Sequence, residues 1–354
     1  MKERKIIMKR TFAFIIAMLM ALSPAACSIS SVPDAEGKAY EFTFSMHDPE
    51  TAGTSKFIRA WGTIVEEASG GRIKFNFFFG GSLASVMDSL DAVQNGTIDL
   101  SWNSPAVFPS RFLANSVSIL PLIGFPANAD GGQILWEMYE ENEDFRSEWN
   151  GYKVIALQPN GNTALITKNR KLGEYGDLRG MRIRSGNSFT AAFMEEMGLT
   201  PIAFSVADIF TNLEKNIVDS TMNDWNFSYS NRLFDICKFA LDEPMYVPSG
   251  CIVMNEDAYA GLPDDLKAII DEYSGLFASR LGGEMMEDYD KEMRKLHIDN
   301  GMEVYAPTAE LLAGMKAASK AGVDVWLQEA SSAGRDAQAV YDQFIEKLAE
   351  FGYR

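Results

Sequence analysis

Two arginines, Arg182 and Arg184, lie two residues apart in the segment GMRIRSGNS, which spans residues 180–188. A guanidinium stays charged, and its planar fork of donors matches a carboxylate bidentately. Because residues two apart in a strand share a face, alternation predicts both arginines on one side and Ile183 on the other. The segment therefore supplies local donors of the kind that can hold a small anion.

Strand alternation alone does not separate the two arginines. Arg184 is nearer to the carboxyl end of the predicted strand, which is where open α/β sheets bind ligands. The alternative for each arginine is a structural ion pair with a neighbouring acid. From the residues alone, both roles stay open for each arginine.

The sequence lacks the motifs of common enzymes. It has two histidines, His47 and His297, and three cysteines. It contains no GxSxG, phosphate-binding loop or HExxH motif, and no CxxC or Cys/His cluster that would suggest a metal site. His297 falls in the last turn of a predicted helix, where a cation at the helix end is its expected role. The pattern favours binding over catalysis.

The composition indicates a globular chain of about two domains. The chain has 354 residues, of which 47% are hydrophobic and 23% charged, and its net charge is -17. This acid excess leaves no basic stripe and excludes nucleic acid as a partner. A small anion is not excluded, because local donors hold it whatever the net charge.

The first 26 residues have the pattern of a signal peptide, with a basic segment before an apolar run too short to span a membrane. Small residues before Cys27 suggest lipoprotein cleavage, an acylated Cys27 and a tether over residues 27–38. Plain secretion is the alternative, because Pro24 stands where an aliphatic residue is usual. We expect an exported protein, in the periplasm or anchored through Cys27 to the outer face of the cytoplasmic membrane.

Export would permit a disulfide between Cys237 and Cys251. Both cysteines stand among apolar residues, so two buried free thiols are the preferred interpretation.

Hydrophobic periodicity predicts two α/β runs, over residues 40–103 and 151–224. The alternation of strand and helix predicts two lobes with largely parallel sheets. Residues 263–301 follow helical spacing with an interruption at Gly282 and Gly283, and a helix of this length is expected to lie across both lobes. A short strand over 302–307 and a helical region over 308–351, broken near residues 331–336, complete the prediction.

Five segments, in this order, resemble the extracytoplasmic solute-binding proteins of TRAP (tripartite ATP-independent periplasmic) transporters. They are EEASGGRIKFNFFFGGSLAS, LDAVQNGTIDLSW, DLRGMRIRS, MGLTPIAFSVADIFTNLEKNIVDS and AYAGLPDDLKAIID. The third, similar to the family's DLkGlKiR signature, is the most specific. The resemblance as a whole extends over nearly all of the predicted mature chain.

The resemblance implies a two-lobed α/β periplasmic-binding-protein-like (Venus-flytrap) fold with a long helix spanning both lobes. We expect one lobe over residues 39–162 and 249–285, and the other over 163–248 and 286–354. The second arginine of the signature holds the ligand carboxylate in this family, which implies that role for Arg184. Arg182 is at the family's variable basic position, so we expect a structural ion pair for Arg182 and the ligand contact for Arg184.

Further positions resemble the family's pocket or lie at strand ends beside it: Asn187, Asn223, Phe204 and Trp225 in the second lobe, and His47, Trp102 and Asn103 in the first. Each has a structural alternative. Asn187 would otherwise be a helix N-cap, Asn223 a turn residue and His47 a surface-loop residue. Phe204 and Trp225 would otherwise be ordinary core.

The sequence departs from some relatives at Ala164, near which members that bind acidic sugars or dicarboxylates carry a second arginine. This favours a monocarboxylate as the ligand. The function that the resemblance implies is uptake: a monomeric receptor without a cofactor captures an organic acid and delivers it to the membrane subunits. The alternatives are an exported enzyme with Asp99 or Asp224 as a base, and a sensory module that presents the ligand to a membrane receptor.

Overall fold

Eleven strands form two sheets within residues 38–354, the part of the chain that this computed structural model describes. The predicted signal peptide, the tether up to residue 37 and Cys27 lie outside the described residues. The strands are β1 (Tyr40–Ser45), β2 (Ile73–Phe78), β3 (Leu100–Asn103), β4 (Tyr152–Pro159), β5 (Thr163–Thr167), β6 (Arg182–Ser185), β7 (Thr200–Ala203), β8 (Ser220–Asp224), β9 (Phe239–Leu241), β10 (Ser249–Asn255) and β11 (Glu303–Tyr305). The first sheet has the order β2-β1-β3-β10-β4, and the second has the order β11-β9-β5-β8-β6-β7.

Helices pack on both sheets. They are α1 (Gly53–Ala68), α2 (Ser89–Gln94), α3 (Ala129–Glu141), α4 (Glu143–Ser147), α5 (Ser188–Glu196), α6 (Ile209–Glu214), α7 (Trp225–Ser230), α8 (Glu256–Ala260), α9 (Asp264–Glu272), α10 (Leu276–Asp299), α11 (Ala309–Ser332) and α12 (Ala337–Glu350). No helix in the described range is both long and apolar enough to cross a membrane.

The sheets are mixed, whereas the sequence predicted largely parallel ones. The pairs β1-β2, β1-β3, β6-β7, β6-β8 and β9-β11 are parallel as expected. However, β10 runs antiparallel to β3 and β4, and β5 runs antiparallel to β8 and β9. Local sequence patterns do not set the direction of β10. The chain first forms strands β5 to β9 of the second sheet and then returns to the first sheet, so β10 starts at the edge where β1 and β3 end and runs against them.

Two short connections join one edge of the first sheet to one edge of the second. The chain passes from β4 to β5 through residues 160–162 and returns from β9 to β10 through residues 242–248. In the first sheet, the parallel strands β1 and β3 end at the edge where β10 begins. In the second, β6 and β8 end where β5 begins. The loops at these two edges therefore meet.

The predicted long helix is divided, and the break differs from the expected one. The chain forms α9 and α10 with the break at Gly275, whose φ of 64° suits glycine. Gly282 and Gly283 lie inside α10. They serve close packing: a Cβ at Gly282 would be 2.9 Å from the Phe57 ring, and one at Gly283 would be 2.6 Å from the Asn128 carbonyl carbon.

As expected, α10 lies across both lobes. Its Met286 belongs to the core cluster of the first sheet, and its Met293 belongs to a core cluster of the second. A second helix, α11, also spans the two: Met315 packs with residues of the second sheet, while Trp326 joins the cluster that contains Phe125. The sequence predicted one spanning helix, and the structure has two.

The C-terminal helix α12 packs against elements of the first sheet's side. Phe344 contacts the ring of Phe125 with centroids 5.3 Å apart, and Gln343 accepts a hydrogen bond from Asn142 at 2.9 Å. The sequence had placed this helix with the second lobe. Periodicity identified it as a helix but not the surface that it covers.

The two described cysteines are free and buried, in separate clusters. The preferred interpretation of buried thiols is confirmed for Cys237 and Cys251.

We expect Gly283→Ala to lower the free energy of unfolding by about 1–3 kcal/mol, because the added methyl would meet the backbone at the start of α3, which cannot rotate away. The helix-propensity gain of alanine, about 1 kcal/mol, opposes this only in part. Denaturant unfolding measures the difference. Gly176→Ala is the control, since a Cβ there meets nothing within 4 Å; equal stabilities of the two variants would contradict the close-packing role.

Candidate functional site

The edge of the second sheet that faces the first carries Arg184 and Asp224. Arg184 lies near the end of β6 and Asp224 ends β8, and these strands are parallel neighbours. Thr163 begins β5 directly opposite Asp224. Three neighbouring strands therefore bring a cation, a carboxyl group and a hydroxyl to one edge.

Arg184 is held at this edge without an acidic partner. Its Nε donates to the carbonyl oxygen of Phe204 at 3.3 Å. Within residues 38–354, no carboxylate lies at ion-pair distance from its guanidinium. Burial lowers the pKa of Arg184, opposed by the nearby Tyr246. A desolvated cation of this kind gains from an anion that enters the site.

Gly186 lies against the guanidinium of Arg184. A Cβ at this position would be 2.8 Å from Nη1 and 3.0 Å from Cζ of Arg184. The backbone of Gly186 does not have a positive φ, so other residues could adopt its conformation. The absence of a side chain here makes room for the guanidinium.

Arg182 forms the ion pair that the sequence predicted for it. Its Nε and Nη2 donate to the two carboxylate oxygens of Asp219 at 2.9 and 2.7 Å. The pair lowers the pKa of Asp219 and raises that of Arg182. The two arginines of the signature therefore differ in their surroundings: one is paired and the other is not.

Tyr246, in the connection from β9 to β10, is near both Arg184 and Asp224. Its backbone is tied to Thr163, whose hydroxyl donates to the Tyr246 carbonyl at 2.6 Å, and its own hydroxyl donates to the carbonyl of Met222 at 3.3 Å. Burial raises the pKa of Tyr246 to about 12, with Arg184 lowering it and Asp224 raising it. The sequence analysis missed this residue, since no motif marks it.

The carboxyl group of Asp224 lies at the same sheet edge as Arg184 and Tyr246. Its Oδ1 accepts the N–H of Phe227 at 2.7 Å and caps α7. Burial raises the pKa of Asp224 to about 6, the hydrogen bond from Phe227 lowers it, and the proximity of Asp48 raises it further. Asp48 follows β1, so the two carboxyl groups come from different sheets.

His47 and Trp102 lie beside Asp48 on the first sheet's edge. The ring centroids of His47 and Trp102 are 5.4 Å apart, and His47 Nε2 is 3.6 Å from Asp48 Oδ1. Burial lowers the pKa of His47, opposed by Asp48. His47 and Trp102 are thus brought together, and His47 is packed against an aromatic ring.

The three predicted asparagines make hydrogen bonds within the protein. Asn187 caps α5 by accepting from the N–H of Thr190 at 2.8 Å, as its alternative foresaw. Asn223 accepts from the Thr221 hydroxyl. Asn103 is fully buried: it donates to Ser101 at 2.7 Å and accepts from the Ser89 hydroxyl at 2.8 Å.

The two remaining predicted residues are aromatic and differ in exposure. Trp225 is 2% exposed within a core cluster of the second sheet. Phe204 is half-buried against the same cluster, and its carbonyl receives Arg184. Phe204 therefore contacts the candidate anion site through its backbone.

His297 is buried and uncharged, which corrects the expected cation at a helix end. Its Nε2 lies 3.3 Å from the Trp225 carbonyl oxygen, and rings of Trp225, Tyr229 and Phe234 surround it. Burial lowers its pKa to about 4. Sequence spacing gave its position on the helix but not the aromatic cluster that covers it.

Asp99, the other carboxylate considered as a base, is used within the first sheet. Its Oδ2 accepts both the N–H and the hydroxyl of Thr43, at 2.7 and 2.8 Å. No group of histidine, cysteine and acidic side chains suited to a metal occurs among the described residues.

Two mixed α/β sheets, joined by short connections and spanned by long helices, define the class of two-lobed solute-binding proteins. The family described as "Bacterial extracellular solute-binding protein, family 7", named DctP, matches residues 44–329. The chain belongs to this family, which comprises the solute-binding proteins of TRAP transporters.

Individual relatives agree with this assignment. The chain is 24% identical to the 2,3-diketo-L-gulonate-binding periplasmic protein YiaO of Escherichia coli over 73% of this chain and 76% of the relative. A marine metagenome TRAP solute-binding protein specific for aromatic acid ligands, solved with 3-hydroxybenzoate, has a TM-score of 0.83 at 25% identity, covering 89% of this chain and 99% of that one. A Bordetella bronchiseptica protein with bound mandelate shares the fold, with a TM-score of 0.78 at 22% identity over 88% and 99% of the two chains.

Proposed function

We propose that this protein captures an organic acid by pairing the acid's carboxylate with Arg184, and delivers it to the membrane subunits of a TRAP transporter. One observation carries the proposal: the Arg184 guanidinium is partly buried at the edge between the sheets, and no acid among the described residues pairs with it. A charged hydrogen bond of this kind contributes about 1.5–3 kcal/mol. The family and the aromatic-acid specificity of one structural relative support an organic acid.

A single carboxylate is the favoured form of the ligand. Ala164 is buried on β5 opposite Asn223, where the sequence offers no second arginine. Asp48 and Asp224 would also repel a second carboxylate.

Capture would proceed by closure of two lobes. We place the lobe boundaries between residues 162 and 163 and between 248 and 249, because sheet membership changes there, and we assign α12 to the first lobe from its packing. The ligand would favour the closed form only through its higher affinity for that form. The predicted residues Asn187, Asn223, Phe204, Asn103, Trp102, Trp225 and His47 remain proposed contributors to the pocket and its walls.

The protein would bind its ligand without transforming it, and would need no cofactor. In the alternative of an exported enzyme, Asp224 would act as the base. In the alternative of a sensory module, the same pocket would bind the ligand and present it to a membrane receptor. Chromatography of a stoichiometric mixture of protein and ligand distinguishes the enzyme, because only the enzyme would form products. We further propose an exported monomer that is anchored through Cys27.

We expect a small set of monocarboxylic acids to raise the melting temperature, while neutral sugars and amines do not. Ligand at about 100 times its dissociation constant should add about 2.7 kcal/mol to the free energy of unfolding. A thermal-shift screen of matched acids and their neutral amides measures this. Stabilisation by sugars but not by acids would defeat the proposed function.

A further inference from the structure

Asp290 lies where the spanning helix α10 passes from one sheet to the other. It stands between Met286, in a core cluster of the first sheet, and Met293, in a core cluster of the second. Asp290 is 6% exposed, and its Oδ2 accepts the N–H of Asn162 at 3.2 Å. Asn162 belongs to the connection from β4 to β5, so this hydrogen bond joins α10 to a segment in which the chain itself changes sheets.

The same connection lies directly on the Asp290 carboxyl group. A Cβ at Gly161 would be 2.8 Å from Cγ of Asp290 and nearer still to its Oδ1. The backbone of Gly161 does not have a positive φ, so the lack of space, and not the backbone conformation, excludes a side chain here. The glycine therefore lets the connection cover the carboxyl group.

The covered carboxyl group lacks a counter-ion and a donor for one of its oxygens. Asp290 Oδ1 makes no hydrogen bond among the described residues, and over the same range no lysine or arginine lies at ion-pair distance from it. The two cations that follow on α10 have other partners: Arg294 Nε donates to Asp242 at 3.1 Å, and Lys291 pairs with Glu287 at 2.7 Å. The charged form of Asp290 is therefore costly in this position.

Further acids around Asp290 add to this cost. A Cβ at Gly161 would also be 3.1 Å from Cβ of Asp224, so both acids lie against the same glycine. Asp242 and Glu243, in the connection from β9 to β10, line a cavity of about 110 Å³ together with Asp290. Burial raises the pKa of Asp290 well above its ordinary range, and Asp224 raises it further. The cavity also leaves room for the connections to move against α10.

We propose that Asp290 is a positioning residue for lobe closure: the β4–β5 connection covers its carboxyl group when the lobes close on the ligand, and closure requires this group to be uncharged. The inference rests on the proposed function, because closure is what links Asp290 to the ligand that Arg184 holds. Opening would lift the connection from Asp290 and admit water to Oδ1, so the open form tolerates the charged group. A proton bound to Asp290 therefore favours the closed form, and with it the bound ligand.

The affinity for the ligand should then depend on pH above neutrality. Because the pKa of Asp290 is raised where it is covered, its contribution to closure is present at low pH and is lost as the pH rises through that raised pKa. We expect the dissociation constant to increase on the order of tenfold between about pH 7 and pH 9. Asp224, whose pKa burial raises to about 6, titrates below this range. The ligand carboxylate and Arg184 keep their charges throughout.

Calorimetric titrations with 3-hydroxybenzoate, benzoate and lactate at the two pH values test this, and each acid that binds the wild type is carried into the variants. Asp290→Asn keeps an oxygen that accepts the N–H of Asn162 but has no charge to gain. Its affinity should be equal at both pH values, and about tenfold higher than that of the wild type at pH 9. Asp288→Asn, at an exposed position two residues earlier on α10, is the matched control and should keep the wild-type pH profile.

A second pair of variants tests the contact between Gly161 and Asp290. In Gly161→Ala the new methyl meets the carboxyl group, so the connection cannot cover it and the affinity should fall on the order of tenfold at both pH values. Asp290→Ala in the same chain removes the obstruction and should restore part of this loss.

A wild-type dissociation constant that stays the same between the two pH values would overturn the inference, as would an equal change in Asp290→Asn. Variants that alter the melting temperature but leave the affinity and its pH profile unchanged would show that Asp290 serves stability alone. If Arg184→Ala abolishes binding while the wild-type pH profile is flat, this inference fails and the proposed function stands. If none of the three acids binds, the proposed function fails and this inference fails with it.

Discussion

Arg184→Ala is expected to lower the affinity for the organic acid by on the order of 30-fold or more, while the unliganded protein melts almost unchanged. The loss follows because the ligand carboxylate would be buried without its partner, which typically costs about 2–5 kcal/mol. The fold should be insensitive, because Arg184 makes one long hydrogen bond to a carbonyl and no ion pair among the described residues. Calorimetry with the acid found by thermal shift measures the affinity.

Two further substitutions distinguish bidentate hydrogen bonding to the carboxylate from the effect of positive charge alone. Arg184→Lys keeps the charge and loses the planar fork, so it should retain part of the affinity. Arg182→Ala is the matched control two residues away, and loss of its solvent-screened pair with Asp219 should change stability little. If Arg182→Ala abolishes binding and Arg184→Ala does not, the wrong arginine has been assigned.

Gly186→Ala is expected to weaken binding by on the order of tenfold, through Arg184. The new methyl would lie 2.8 Å from Nη1, so the guanidinium must move away from the position that the fork requires. Because the atoms displaced belong to the end of a flexible side chain, the melting temperature should stay near that of the wild type. Calorimetry and melting curves of the variant test both expectations.

A double-mutant cycle shows whether Gly186 acts through the arginine. In the Arg184→Ala background, Gly186→Ala should have no further effect, because no guanidinium remains to be displaced. Gly173→Ala serves as the glycine control, since its nearest neighbour would be at 3.8 Å. Equal losses from Gly186→Ala in both backgrounds would show that it acts on the pocket independently of Arg184.

Much of the fold could be predicted because local patterns encode it. Alternation located β1, β2 and β6, and helical spacing located α10 and α11, since burial on one face imposes these periods. The direction of β10 and the side covered by α12 could not be predicted. Both depend on contacts between distant segments, such as Phe344 with Phe125, which leave no trace in nearby residues.

The site was predicted unevenly for a related reason. The signature segment identified Arg182 and Arg184, and the strand end explains why they are at an edge. Neither Tyr246 nor Asp48 belongs to a sequence motif. Both lie in loops, and these loops come close to the site only because the edges of the two sheets face each other. Asn103 is the opposite case. Its position at a strand end predicted a ligand contact, but both its amide oxygen and its amide nitrogen make hydrogen bonds to serines in the core.

A crystal structure of the protein with the acid that it binds most tightly would show whether Arg184 holds the carboxylate. We expect a closed cleft in which both carboxylate oxygens lie about 2.7–2.9 Å from nitrogens of the Arg184 guanidinium. A carboxylate held elsewhere, with Arg184 turned to an acid of the protein itself, would contradict it.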